Sequence, residues 1–288
     1  MKNSTKGLLY LIFTIFFFST YEVVSKTLID KVNPFQINFI RFFIGGIILL
    51  FFLIIKKDLL ISFKDMLSVA AIGILNVVLS MNVVQLALYV PGSKASVSAV
   101  IFSSNPIFVC IFASFMDNEK LSLKKIIGLL IGIAGILTIF FEKMGFSDFK
   151  SPVLALISAV LYGLYTVLGR KISVRIGSLK MNAYSFLIGS LALLPVLLIF
   201  KMPVLKFDYS GIWQVLYLSV FVTGIAYLTY FKGLSIAGAG KGSLVFFMKP
   251  VLASAIAVIF LREHVTLNLI AGTLLILCGI GTVVKSKT

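Results

Sequence analysis

The segment ASVSAVIFSSNP at residues 95–106 is matched by AGKGSLVFFMKP at residues 239–250, without gaps and at an offset of 144 positions. Several residues match in this register, and a merely apolar composition would not readily align the prolines, acidic residues and glycines among them. These pairs are Ala95 with Ala239, Phe102 with Phe246, Pro106 with Pro250, Glu119 with Glu263, Gly128 with Gly272, and Gly135 with Gly279. One register for prolines, acidic residues and glycines predicts an internal repeat, with residues 1–144 as the first copy and 145–288 as the second.

The composition around this repeat is that of a membrane protein. Of the 288 residues, 60% are hydrophobic and only 12% are charged, whereas soluble domains carry roughly 25% charged residues. Membrane-spanning helices need about 20 consecutive, mostly apolar residues, and the chain is nearly a series of such runs. The predicted spans are residues 7–28, 34–55, 66–88, 95–116, 123–141, 151–169, 181–200, 211–231, 242–261 and 267–284.

Five spans in each copy are an odd number, so the second copy enters the membrane upside down relative to the first. Such inverted repeats are typical of secondary transporters, whose site lies between the halves near the middle of the membrane. The predicted fold class is therefore an all-α integral membrane protein, with ten transmembrane helices arranged as two inverted five-helix repeats.

The basic residues indicate orientation rather than nucleic-acid binding. The net charge is +16, but Lys and Arg are scattered between apolar runs and form no basic stripe. If the N-terminus is cytoplasmic, the cytoplasmic loops hold about twice as many Lys and Arg as the opposite loops. We therefore predict a multi-pass protein of the cell (inner or plasma) membrane with both termini in the cytoplasm.

The repeated segments also resemble a known family. Each copy has a fourth span with small residues and a mid-helix proline, then an exit glutamate, then a fifth span with spaced glycines. In this the whole chain is similar to EamA-type transporters of the drug/metabolite transporter superfamily. The resemblance implies a ten-helix secondary carrier, often an exporter of amino acids or related metabolites. It also implies a cavity lined mainly by helices one, three, four, six, eight and nine, with helices five and ten peripheral.

Lys249 is the first candidate for substrate binding. It directly precedes Pro250, and a proline both frees the carbonyl four residues earlier and disfavours helical geometry at the residue before it. A lysine beside such a turn is well placed to meet an anion such as a substrate carboxylate. Its counterpart in the first copy, Asn105, precedes Pro106 and is polar too, so both residues are expected to face the cavity and both prolines to act as helix kinks.

Glu22 and Arg41 lie inside the first two spans, where a charge costs up to roughly 2.5–3.5 kcal/mol at mid-span and normally faces a cavity or a partner. Two interpretations stay open: a structural ion pair between them, or a role in proton coupling or in binding a substrate ammonium group. Their repeat counterparts are Thr166 and Ser185, so the scaffold does not require either charge.

Uncharged polar residues inside the spans complete the candidate site. Asn82 and Gln85 lie one turn apart on the third span, and Tyr165 lies in the sixth. Buried amides commonly line cavities or bridge helices. The predicted substrate-binding residues are Lys249, Asn105, Asn82, Gln85, Glu22 and Tyr165.

Other features have structural interpretations. Glu119 and Glu263 precede Ser122 and Thr266, which are good N-caps for the helices that follow, where negative charge favours the helix dipole. The Gly128-x-x-x-Gly132 spacing favours close helix packing, either within the chain or in a homodimer. Apart from such a dimer, the expected partners are the lipid bilayer and a small-molecule substrate.

The sequence favours a secondary transporter, with an exported amino acid or related zwitterion or anion as the leading substrate class. A competing interpretation is proton-coupled efflux of organic cations or drugs, with Glu22 as the coupling acid. A membrane-embedded enzyme would need clustered His, Asp or Glu at the interface, and a receptor or scaffold would need longer loops. We expect no catalytic residues, no metal and no cofactor, since neither a phosphate-binding loop nor a metal-ligand spacing occurs.

Overall fold

A computed structural model describes residues 3–116, 123–141, 149–237 and 248–285. Within these ranges the chain forms ten helical spans. They are α1 (Asn3–Lys26), α2 (Pro34–Ile55), α3 (Phe63–Tyr89), α4 (Ala95–Met116), α5 (Leu123–Phe141), α6 (Lys150–Ile176), α7 (Ser178–Ile199), α8 (Tyr209–Ile236), α9 (Met248–Leu261) and α10 (Leu267–Lys285). By length and composition, seven are able to cross a membrane, and α5, α9 and α10 contain shorter apolar stretches.

The helix boundaries follow local capping and charge. Asn33 caps α2, which begins at residue 34 as the predicted second span does: its side chain accepts a hydrogen bond from the Phe35 amide, with Pro34 in the first turn. The predicted end of the sixth span at residue 169 is wrong, because α6 continues to Ile176. Its last turns carry charged side chains that find partners beyond the apolar layer, and Arg175 forms an ion pair with Asp65.

The outer surface of the bundle is apolar. Phe51, Ile55 and Leu198 are each more than half exposed, as are many other large hydrophobic side chains. Monomeric soluble proteins rarely expose contiguous apolar patches of this extent. Lipid is therefore the solvent of this surface, as the composition predicts.

Each principal contact between helices has a counterpart in which both helices are replaced by their equivalents in the other half. Helix α1 packs against α8 and α9, and α6 packs in the corresponding way against α3 and α4. Counterparts also contact each other directly, α2 with α7, α5 with α10 and α4 with α9, and α2 packs against α8 as α7 packs against α3. This pattern is that of a pseudo-two-fold axis passing through the α2–α7 and α5–α10 contacts.

Glycine contacts show that the two halves are inverted. A Cβ atom built on Gly135 would lie 2.7 Å from the carbonyl oxygen of Gly272, and one built on Gly279 would lie 2.5 Å from that of Gly128. Residues with higher numbers in α5 contact residues with lower numbers in α10, so the two helices run antiparallel. Because these glycines are also the repeat pairs, one half is the other turned upside down.

The same contact decides the role of the Gly128-x-x-x-Gly132 spacing. The Cβ atom built on Gly279 would also approach the backbone nitrogen of Gly132, at 2.5 Å. This face of α5 is therefore covered by α10 of the same chain and does not offer a dimer interface. A homodimer remains a prediction without support from this motif.

Three helices are interrupted next to the centre of the bundle. In α3 and α8 the interruptions are π-helical segments at equivalent repeat positions, Ile74–Ser80 and Leu218–Ile225. Such segments are rare and occur frequently at functional sites. In α4 the helix breaks at residues 103–104, directly before Asn105 and Pro106.

Glu263 has a structural role different from the predicted one. Thr266 caps α10 as expected, accepting a hydrogen bond from the Leu269 amide. The Glu263 carboxylate instead binds the start of α4 in the other half, accepting from the backbone N–H of Ala95 at 2.6 Å and of Ser96 at 3.0 Å. A negative charge is favourable at a helix N-terminus, which explains the contact. The sequence predicted that this charge would act on α10, the helix that follows Glu263, whereas the structure places it at the start of α4. Glu119 and Ser122 lie outside the described residues.

Candidate functional site

A cavity of about 20 Å³, room for roughly one water molecule, lies where the two halves meet. Its wall comes from α1, α2, α3, α4, α6, α8 and α9. The lining residues are Phe18, Tyr21, Arg41, Met81, Phe102, Tyr162, Val222, Tyr227 and Lys249. The family resemblance implied six of these helices, and the structure adds α2 through Arg41. Neither α5 nor α10 contributes to this cavity wall in the described parts of the chain.

Lys249 and Glu22 form a buried ion pair beside this cavity. The Lys249 Nζ atom lies 2.7 Å from Glu22 Oε1, and the two side chains are 2% and 0% exposed. The same ammonium group lies 4.5 Å from the centre of the Phe102 ring, a cation–π arrangement. The pair joins α9 of the second half to α1 of the first, so it bridges the interface between the two halves.

Arg41 is buried without an acidic partner among the described residues. Its Nε donates to Asn38 Oδ1 at 2.8 Å, and its guanidinium carbon lies 4.6 Å from the Tyr21 ring centre and 4.5 Å from that of Phe42. Its Nη2 has no hydrogen-bond partner there. The alternative of a Glu22–Arg41 ion pair is wrong, because Glu22 forms its ion pair with Lys249. Sequence placed both charges at similar depth, but the rotation of each helix about its axis decides which side chains meet.

Asn82 and Gln85 stand behind the cavity wall and act on residues that form it. The Asn82 Oδ1 atom accepts from Asn38 Nδ2 at 2.8 Å, so Asn82 orients the amide that holds Arg41. The Gln85 Oε1 atom accepts from the Tyr21 hydroxyl at 2.6 Å. The structure thus brings both predicted residues to the site as positioning residues and not as lining residues.

Asn105 and Tyr165 are also close to the cavity without lining it. Pro106 has no N–H to offer the Phe102 carbonyl, and Asn105 Nδ2 donates to that oxygen instead, at 2.9 Å. Tyr165 is fully buried among aromatic rings, with ring centres 5.6 Å away at Tyr162 and 5.4 Å away at Phe231. Of the six predicted substrate-binding residues, Lys249 alone is among the residues that line this cavity in the described chain.

Sequence reasoning missed Asn38 and most of the apolar wall. A signal for Asn38 existed, because it lies one turn before Arg41 and its repeat counterpart is Asn182. The two amides have related roles: Asn38 donates to the Met81 carbonyl and Asn182 to the Tyr227 carbonyl, each just beyond a π-helical segment. The lining phenylalanines carried no signal, since the chain contains 27 of them.

Pro106 and Pro250 differ in what surrounds them. Pro106 follows directly on the break in α4. Pro250 lies in the first turn of the described part of α9, and the residues before Met248 lie outside the described ranges.

Comparisons with known proteins agree with this architecture. The model of the EamA-like transporter family matches residues 5–141 and again residues 150–285. The chain is 34% identical over 286 residues to an uncharacterized transporter of Clostridium kluyveri, covering 95% of this chain and 91% of that protein. It is 30% identical to the uncharacterized transporter YoaV of Bacillus subtilis, covering 90% and 89%. A crystal structure that is 20% identical superposes with a TM-score of 0.72 over 97% of both chains, which shows the shared fold.

Proposed function

Since the chain belongs to the EamA-like transporter family, we propose that it is a secondary carrier that exports a small polar metabolite by alternating access. The proposed substrates are amino acids and related zwitterions or anions. The observation that carries the proposal is the buried Lys249–Glu22 ion pair at a cavity between two inverted halves. Two halves of nearly equal structure exchange conformations at a small difference in free energy, so the cavity opens to either side in turn.

The charges of the cavity support this substrate class. Lys249 and Arg41 both line the wall, and Glu22 lies directly behind Lys249. A carboxylate is attracted to the two cations. Organic-cation efflux is disfavoured for the same reason, because a cationic substrate would meet Arg41 and Lys249 before it reached Glu22. We propose no catalytic step for this chain.

The proposed location is the plasma membrane, with both termini in the cytoplasm. The support is the twofold excess of Lys and Arg in the loops assigned to the cytoplasmic side. A reporter fused to the C-terminus that matures only in the cytoplasm tests this orientation.

Lys249→Ala tests the carrier proposal. We expect transport to fall about ten-fold or more, because the change removes a wall cation and leaves the buried Glu22 charge without its partner, a loss typically worth about 3–5 kcal/mol. The measurement is flux into proteoliposomes for a panel of amino acids, organic anions and organic cations, with and without a proton gradient. Membrane insertion is checked separately by recovery of the folded protein in detergent.

Lys124→Ala is the matched control, since Lys124 is exposed at the start of α5, a helix that contributes no described residue to the cavity wall. It is expected to transport like the unaltered protein. Undiminished flux through the Lys249→Ala protein would contradict the proposed site, and the absence of flux for every solute in the panel would contradict the carrier function.

A further inference from the structure

We infer that the cavity selects a net monoanionic solute with an apolar body, an aliphatic or aromatic monocarboxylate, over the zwitterion of the same shape. The inference rests on the proposed carrier function and narrows its substrate class. It comes from the balance of charge around the cavity and from which charged atoms form the wall.

The site has one positive charge in excess. Lys249 is compensated by Glu22 at 2.7 Å. Arg41 is 1% exposed and has no acidic partner in the described residues. Burying an uncompensated charge is costly, and bound ligands that restore neutrality are favoured accordingly. A monoanion brings this site to neutrality, whereas a zwitterion leaves the excess charge in place.

An ammonium group has no acceptor of opposite charge on the wall. No acidic side chain is among the described residues that line the cavity. Glu22 is fully buried behind the wall, with one carboxylate oxygen bound to Lys249. Aromatic faces do not replace it, because Arg41 already lies over the Tyr21 ring and Lys249 over the Phe102 ring. The other carboxylate oxygen, Oε2, has no hydrogen-bond partner in the described residues, but the charge of Glu22 is already balanced by Lys249, so an ammonium group bound there would add a second excess positive charge to the site.

Arg41 is prepared as the carboxylate anchor. It lines the cavity, and its Nη2 has no hydrogen-bond partner in the described part of the chain. Its Nε is held by Asn38, and Asn38 is held in turn by Asn82. A guanidinium group presents parallel N–H donors that match a carboxylate, and a pre-oriented one loses little freedom on binding.

The rest of the wall fits an apolar body. Phe18, Met81, Tyr162, Val222 and Tyr227 contribute aromatic and aliphatic surface, with methionine as an adaptable member. The enclosed space of about 20 Å³ holds roughly one water molecule, so the wall has to open to admit a solute.

Three solutes with the same phenylethyl body test the inference: 3-phenylpropionate, phenylalanine and phenethylamine, which are an anion, a zwitterion and a cation. Each is offered to the full-length protein in proteoliposomes, and binding is followed in parallel by thermal shift in detergent. An aliphatic set, 4-methylpentanoate, leucine and isopentylamine, repeats the comparison. We expect each monocarboxylate to be preferred about ten-fold or more over its amino acid, which corresponds to about 1.4 kcal/mol.

Equal or better transport of the amino acids would overturn the inference while leaving the carrier function intact. Transport of other panel solutes, with neither carboxylate bound nor moved, would have the same meaning. If no solute moved at all, the carrier function itself would fail.

Charge variants separate the excess charge from individual contacts. In Lys249→Gln, Glu22 is left to balance Arg41, so the preference for the anion should disappear. In the double variant Glu22→Gln with Lys249→Gln, Arg41 again supplies the one excess charge. We expect this double variant to be slower but to keep the order of anion over zwitterion.

Arg41→Gln should abolish that order, and Arg41→Lys should retain part of it. Should Arg41→Gln fail to fold, the comparison between the Lys249→Gln protein and the double variant still decides the matter. The inference is overturned if the double variant loses the preference, or if Lys249→Gln keeps it.

Discussion

The two halves of the molecule agree where they pack against each other and differ in the charged residues around the cavity. The packing pairs are Phe42 with Phe186, Gly128 with Gly272, Gly135 with Gly279, and Asn38 with Asn182. The pairs around the cavity that differ in charge are Glu22 with Thr166, Arg41 with Ser185, and Lys249 with Asn105, whereas the lining residues Tyr21 and Phe102 have identical counterparts. A contact on a pseudo-two-fold axis uses both copies of a residue, whereas a substrate without two-fold symmetry needs different groups on its two sides. The comparison indicates that the repeat carries the fold and its asymmetry carries the function.

The largest effect should come from breaking the asymmetric part. Glu22→Gln leaves the buried Lys249 charge without its partner, and removal of one member of a buried pair costs about 3–5 kcal/mol. Its repeat counterpart Thr166 donates to the Tyr162 carbonyl one turn back, and Thr166→Val should cost about 1 kcal/mol or less. Thermal unfolding in detergent measures both. Similar destabilisation by the two variants would show that the halves do not differ in this way.

A smaller effect is expected at the symmetric α5–α10 contact. The added methyl group in Gly279→Ala would approach the backbone of Gly128 and Gly132 at 2.5 Å, and in Gly135→Ala the Gly272 oxygen at 2.7 Å. Because backbone atoms must move, we expect each variant to be destabilised by about 1–3 kcal/mol.

Gly281→Ala in the same helix α10 is the matched control for those glycine variants. A Cβ atom at Gly281 meets nothing within 4 Å. Alanine favours helix, so this variant should be neutral or stabilised by up to about 1 kcal/mol. If thermal unfolding showed that Gly281→Ala destabilises the protein as much as Gly279→Ala does, the close contact at Gly279 would be contradicted.

The smallest effect tests equality at the axis itself. Phe42 and Phe186 meet edge to face with ring centres 4.9 Å apart, and both also contact the Tyr227 ring. Phe42→Leu and Phe186→Leu should each lose about 0.5–1.5 kcal/mol of aromatic interaction. The two unfolding midpoints should agree within the error of the measurement. A clear difference between them would locate asymmetry in the packing as well as in the cavity.

Much of the architecture was accessible from sequence for a plain physical reason. Lipid requires long apolar helices whose backbone groups are satisfied internally, so apolar runs predict the spans. Where helix and apolar run differ, as at the end of α6, charged side chains such as Arg175 continue the helix outside the apolar layer and bind partners there. The length of an apolar run does not report that continuation.

The candidate site was accessible only in part. The charges at Glu22, Arg41 and Lys249 stood out because ionisable residues inside spans are expensive. The sequence did not show which of these residues form an ion pair, since two charges at one depth meet only if their helices are rotated toward each other. Asn105 illustrates the same limit. Its counterpart lines the cavity, whereas Asn105 itself satisfies the Phe102 carbonyl that Pro106 leaves free.

The sequence by itself determined the membrane class, the five-helix repeat and its inversion, and which charged residues stand inside the lipid. These properties depend on local composition and on counting spans, and neither requires knowledge of distant contacts. The tertiary structure alone decided that Lys249 forms an ion pair with Glu22 and that Arg41 has no acidic partner in the described part of the chain. That outcome depends on helix rotation and on the bends at the π-helical segments and prolines, which are set by packing among all the helices at once.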